Sequence, residues 1–165
     1  METWKDTGFL HRINTLIKWF LAITMMAMAA LSFYQVVMRY VFNSASSWSE
    51  ELVRFLFIWC SFVAAAIGVR EHIHIGVDVF VKRLPKKFVP LTEIVVNLAI
   101  MVFSGYMIHY GWVLTLMTRR QLSAALLIPM SWVYLSVPVM GVLLLFYCSL
   151  EVLSAWKRFA GERRA

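Results

Sequence analysis

Three histidines, His72, His74 and His109, are the residues most able to suggest chemistry in this chain. Paired histidines on membrane helices are ready axial ligands for haem iron. Depth separates them. The second long apolar stretch ends near Arg70, which leaves His72 and His74 at one membrane surface, whereas the third starts near Leu91 and lifts His109 about 27 Å by helical rise. One iron does not reach all three. The carboxylates are placed no better for carrying a cation. Glu93 lies within about 5 Å of the start of its helix, and Glu151 approaches the end of the last one, so both can extend to the interface. A cation exporter needs an acid deep within a span. The chain also has no glycine-rich phosphate loop, no zinc-type spacing and no paired nucleophile and base.

One polar group stands out at a helix start. Ser47-Trp48-Ser49-Glu50 has the form of a capping box, in which serine and glutamate each satisfy the other's backbone N–H. Glu50 and Arg54 are four apart and Glu51 and Arg54 three apart, so one arginine can serve both carboxylates on one helical face. Charges at such a depth need partners within the chain or on a neighbour. Further along the same helix, Ser61, Ala64 and Gly68 form a small-residue face of the kind that lets helices approach closely.

These residues are positioned by four apolar segments. The 165-residue chain is 61% hydrophobic and 15% charged, against roughly 25% charged in soluble domains. Spans of about 20 apolar residues are predicted at 16–38, 48–69, 91–117 and 129–155, in an all-α membrane protein of one domain, 1–165, without a separate soluble part. The net charge of +7 does not indicate nucleic acid, because the basic residues sort by membrane side. Twelve of the sixteen fall before the first span, in the second connection or in the tail; Arg39, Arg54, Arg119 and Arg120 fall on the other side. The positive-inside rule then places both termini in the cytoplasm. Trp19 and Trp156 fall near that interface and Trp48 and Trp132 near the opposite one, as expected of interfacial anchors.

The remaining segments fit this layout. Phe9, Leu10, Ile13, Leu16 and Ile17 predict a short interfacial helix before the first span, and Val77, Phe80, Val81 and Leu84 predict another in the second connection. Pro129 suits the first position of the last span, and Pro138 predicts a kink within it. Ala27-Met28-Ala29 has the form of a signal cleavage site, but the apolar run continues through Val37, which argues against cleavage. Cys60 and Cys148 lie about 15 Å and about 28 Å below the outer ends of their helices, too far apart in depth for a disulfide and consistent with apolar filling.

Arg39-Tyr40-Val41-Phe42-Asn43, Trp48-Ser49-Glu50-Glu51-Leu52 with Arg54, His72-Ile73-His74-Ile75-Gly76-Val77-Asp78 and Leu84-Pro85 follow one another in an order that resembles a known family. Ile128-Pro129-Met130-Ser131-Trp132 through Pro138 extends the likeness over most of the chain. The family is that of the small membrane subunit, the Q component, of tripartite ATP-independent periplasmic (TRAP) transporters. Two departures are visible: Ala64-Ala65-Ala66 stands where glycine is common, and His74 where a basic residue is frequent.

The resemblance implies a multi-pass protein of the bacterial inner membrane that works with lipids, a large membrane subunit (the M component) and a periplasmic substrate-binding protein. It implies that the large subunit binds an organic acid and sodium and moves as an elevator, with this chain as static scaffold holding no catalytic, metal or cofactor site. Four-carbon dicarboxylates and sialic acids are both within the family's range. Under this reading Glu50, Glu51, Arg54, Ser61, Ala64 and Gly68 are expected at a subunit interface or in helix packing, and Arg119 and Arg120 at the docking face for the binding protein. The alternative is an electron-transfer anchor holding haem or quinone; a Soret band in the purified protein would reveal haem.

Overall fold

The computed structural model describes residues 8–70 and 89–162. The described residues form α1 (Gly8–Tyr40), α2 (Ser47–Arg70), α3 (Val89–Met117), a 3-10 turn (Thr118–Arg120), the short α4 (Ser131–Tyr134) and α5 (Ser136–Glu162). Four helices are long and apolar enough to cross a membrane. They match the predicted spans, with differences at the ends that have local causes. The N-terminal interfacial segment is not a separate helix: α1 runs unbroken for 33 residues, about 50 Å. Since the hydrocarbon core is about 30 Å thick, the surplus requires tilt or extension into the interface. The predicted amphipathic segment at Val77 to Leu84, and His72 and His74, lie outside the described residues.

α1 ends where Asn43 adopts a left-handed φ of 50°, a conformation asparagine tolerates better than most residues. The Ser44 N–H then returns to the Met38 carbonyl at 3.0 Å. The start of α2 lies one residue earlier than the predicted capping box. Ser46, not Ser47, presents the carbonyl that receives the Ser49 and Glu50 N–H groups, at 3.2 and 3.3 Å. Ser49 Oγ donates to the same carbonyl at 2.8 Å.

The last span also begins differently. Pro129 is not a first helical residue but lies in a narrow hairpin, paired with Leu122 in an antiparallel bridge. The interruption expected at Pro138 falls at Leu135, between α4 and α5. The physical reason is the missing N–H: Pro138 cannot bond back to the Tyr134 carbonyl, so the helical ladder breaks one turn before it.

Packing follows the sequence α1 against α2, α2 against α5, and α5 against α3. The result is an open row, with most of α1 uncovered. Phe55, Cys60, Val63, Ala66 and Ile67 form the buried side of α2, and Leu144, Tyr147 and Cys148 that of α5. Both cysteines are free and buried.

The tightest seam joins α3 to α5. A Cβ on Gly111 would stand 2.9 Å from Pro138 Cδ and Val137 Cγ1, and one on Gly141 would stand 2.7 Å from Ile108 Cγ1 and 3.0 Å from the Ser104 carbonyl oxygen. Only glycine fits either position without displacement. Ser104 and Thr115, buried in the same region of α3, donate their hydroxyls to the Ile100 and Gly111 carbonyls at 2.7 Å, so each remains satisfied within its own helix. At the far end of the row, Tyr147 OH donates to Asn14 Oδ1 at 3.0 Å, both side chains buried, and ties α5 to α1.

Candidate functional site: a carboxylate-held hairpin and an uncovered helix face

The connection from α3 to α4 folds back on itself. Ser123 N–H donates to the Ile128 carbonyl at 2.9 Å and Met130 N–H to the Gln121 carbonyl at 2.8 Å. The tip would leave a series of N–H groups unpaired, and Glu51 supplies the acceptors. Its Oε1 receives the Ala124 N–H at 3.2 Å, and its Oε2 receives those of Ala125 and Leu126, each at 2.8 Å. Successive backbone N–H groups that converge on a carboxylate form an anion-binding nest, with each bond strengthened by the charge. Leu127 follows with a φ of 55°, a strained conformation for leucine that costs about 1–2 kcal/mol. Glu51 and the cross-hairpin bonds hold it there.

The acidic pair therefore divides. Glu51 is buried in the hairpin, while Glu50 is exposed and pairs with Arg39 of α1 at 3.8 Å. The expectation that Arg54 serves both carboxylates is not met: among the described residues Arg54 is exposed and makes no ion pair. Arg39 wins Glu50 because the α1–α2 connection brings the two helix ends together, and three backbone donors outcompete a mobile guanidinium for Glu51. Tyr34 and Trp48 add a tilted ring contact across the same helix pair, with centroids 5.9 Å apart.

Ser61 and Ala64 are exposed, and a Cβ on Gly68 would meet nothing within 4 Å. Within the chain, close packing uses Gly111 and Gly141 instead. In the sequence they are two of four glycines inside apolar spans, and Gly141 has no small residue three or four positions away to mark it. Gly68 and Ala65 border an apolar groove of about 430 Å³ that also touches Phe103 and Leu144. Arg119 and Arg120 are exposed in the 3-10 turn. Trp19, Trp48 and Trp132 are exposed as well; Trp156 falls on α5, with its side chain outside the described ones. His109 stacks edge-on against Tyr110 at 5.1 Å. Among the described residues no three of His, Cys, Asp and Glu converge as metal ligands would.

The family model for tripartite ATP-independent periplasmic transporters, DctQ component, matches residues 13–158. The chain belongs to the DctQ family. Similar proteins agree with that placement. This DctQ-family chain is 34% identical, over 60% of its length, to a C4-dicarboxylate TRAP transporter small permease protein of Vibrio cholerae, and spans 43% of that protein. It is 31% identical to a sialic acid TRAP transporter small permease protein of the same organism, over 74% of this chain and 70% of the relative. It is also 31% identical to an isethionate TRAP transporter permease protein of Oleidesulfovibrio alaskensis, over 82% of this chain but only 22% of that longer protein. The family is one of transporter components, not of enzymes, and places this chain in the bacterial inner membrane as a multi-pass protein. It lends no support to the electron-transfer alternative.

Proposed function

We propose that this chain is the static, non-catalytic scaffold subunit of a sodium-coupled, binding-protein-dependent transporter of small organic acids. It seats a large elevator-type permease, with both termini in the cytoplasm. The observation that carries this reading is the uncovered face of the row. α1 and the Ser61–Ala64 side of α2 are apolar or small and remain exposed within the chain, and helices with small residues on an open face associate through close packing. The relative in which a DctQ-like portion makes up 22% of a longer permease supports a large membrane partner. The substrates in the relatives' names, C4-dicarboxylate, sialic acid and isethionate, share an acidic group and a small size. Sodium and substrate sites are assigned to the partner, because Glu50 and Glu51 lie near the start of α2 and Glu151 near the end of its span, none of them deep within the membrane.

Ala64→Trp tests the interface. Ala64 is exposed in this chain, so the variant should fold and insert normally yet lose copurification with the large subunit and lose uptake. Copurification at the native level would remove α2 from the interface. Arg54→Ala gives a parallel test of the outer end: normal assembly together with normal uptake would withdraw Arg54 from it.

A further inference from the structure

α3 turns one side to α5 and the other away from the chain. Ser104 and Gly111 lie against α5. His109 stands two positions before Gly111, about 200° round the helix, and is exposed together with Val102, Gly105, Tyr106 and Tyr110. These five residues line a shallow groove of about 300 Å³ along the outer edge of the row. Gly105 is its notch, since an added Cβ there would meet nothing within 4 Å. Tyr106 and Tyr110 form one wall, with rings 6.0 Å apart and parallel within 3°, and His109 meets Tyr110 edge-on.

Depth gives these polar groups their meaning. The span runs from Ile94 to Arg120, and His109 lies ten residues before Arg119, about 15 Å along the axis. That is half the thickness of a hydrocarbon core of about 30 Å, so side chains here do not reach water. Among the described residues neither the imidazole nor the two tyrosine hydroxyls make a hydrogen bond. Acyl chains offer them no partner, and polar side chains at this depth face protein or a water-filled cavity rather than lipid.

We infer that this edge of α3 is a second seat for the large permease subunit: a membrane-spanning helix of that subunit lies in the Gly105 notch and presents a hydrogen-bonding side chain to His109. The inference rests on the reading of this chain as the partner of a large permease, and it adds a contact at the opposite end of the row from α1. The groove suits a helix because a position without a side chain admits close backbone approach, beside three polar groups that lipid tails leave unsatisfied. In the isethionate relative the matching portion is 22% of one longer permease chain, which favours the permease over a second copy as the neighbour.

The test uses the full chain assembled with its large subunit in the bacterial membrane. The photocrosslinker p-benzoylphenylalanine is placed at Tyr106 and, in a separate variant, at Phe33 on the uncovered face of α1, and adducts are identified by mass after irradiation. The inference predicts an adduct between position 106 and the large subunit. An adduct with a second copy of this chain, an adduct with lipid alone, or no adduct overturns it. In those cases a large-subunit adduct from position 33 leaves the α1 seat standing, whereas none from either position removes both readings. Gly105→Leu extends into space that is open in the isolated chain. Its unfolding alone should match the native chain, while retention of the large subunit falls by about tenfold, the scale of one overpacked contact. Native retention, or an equal loss of stability in the isolated chain, overturns the notch. His109→Leu should lower retention by about threefold, the scale of one hydrogen bond between membrane helices, and His109→Gln should recover it; equal retention in the two overturns the bond.

Discussion

The Glu51 carboxylate accepts the backbone N–H of Leu126 at 2.8 Å across 75 residues of sequence. A side chain from the first turn of α2 therefore fixes the course of the connection between α3 and α4. Glu51→Gln keeps the size of the side chain but removes the charge and one acceptor oxygen. Amide exchange at Ala124, Ala125 and Leu126 should accelerate by about tenfold, the scale set by losing one charge-assisted bond. Exchange in α5 should not change.

The α3–α5 seam gives a prediction with an internal control. Gly111→Ala and Gly141→Ala place a Cβ within 3 Å of a neighbouring helix, and overpacking of this kind destabilises by about 1–3 kcal/mol. At Gly105, also in α3, an added methyl would meet nothing within 4 Å, so Gly105→Ala should be neutral or mildly stabilising through helix propensity. Thermal unfolding of the three variants in detergent would show the order. Equal effects at all three sites would refute the seam.

Tyr147→Phe removes the hydroxyl that joins α5 to Asn14 of α1. Hydrogen bonds between membrane helices are worth about 0.6 kcal/mol on average, so the loss should be modest and fall on the α1 contact. Adding Asn14→Leu to Tyr147→Phe should recover part of it, because the orphaned acceptor is then gone. A double-mutant cycle checks this directly.

The exposed Arg39–Glu50 pair, at 3.8 Å, should contribute about 0–1 kcal/mol and weaken with salt. Exchanging the two charges in Arg39→Glu with Glu50→Arg should therefore leave unfolding nearly unchanged in moderate salt. A large loss would indicate that one of them has another partner in the assembled transporter.

The spans were legible because hydropathy over some twenty residues reflects the solvent itself, and interruptions such as Arg39–Tyr40 are hard to mistake. The hairpin was not legible. Nothing between Gln121 and Met130 announces a turn by glycine, and the residue that organises it is Glu51, which local spacing assigned to Arg54. Helical neighbours are visible at three or four residues' separation; a carboxylate reaching a backbone 75 residues away is not. The seam glycines were missed for a related reason. Gly111 and Gly141 lie on different helices, so their closeness to Pro138 and Ile108 depends on how the helices pack, while the small-residue face at Ser61 and Ala64 follows a one-helix period.

The scaffold assignment requires that this chain be necessary for transport without itself rearranging. Arg39→Cys and Glu50→Cys, joined by a short cleavable bismaleimide, would lock α1 to α2 where the native side chains approach to 3.8 Å. In vesicles containing the whole transporter and its binding protein, sodium-driven uptake should disappear when this chain is omitted and continue at the uncrosslinked rate when the lock is closed. Uptake that stops on closing the lock, and returns when the linker is cleaved, would contradict a static role.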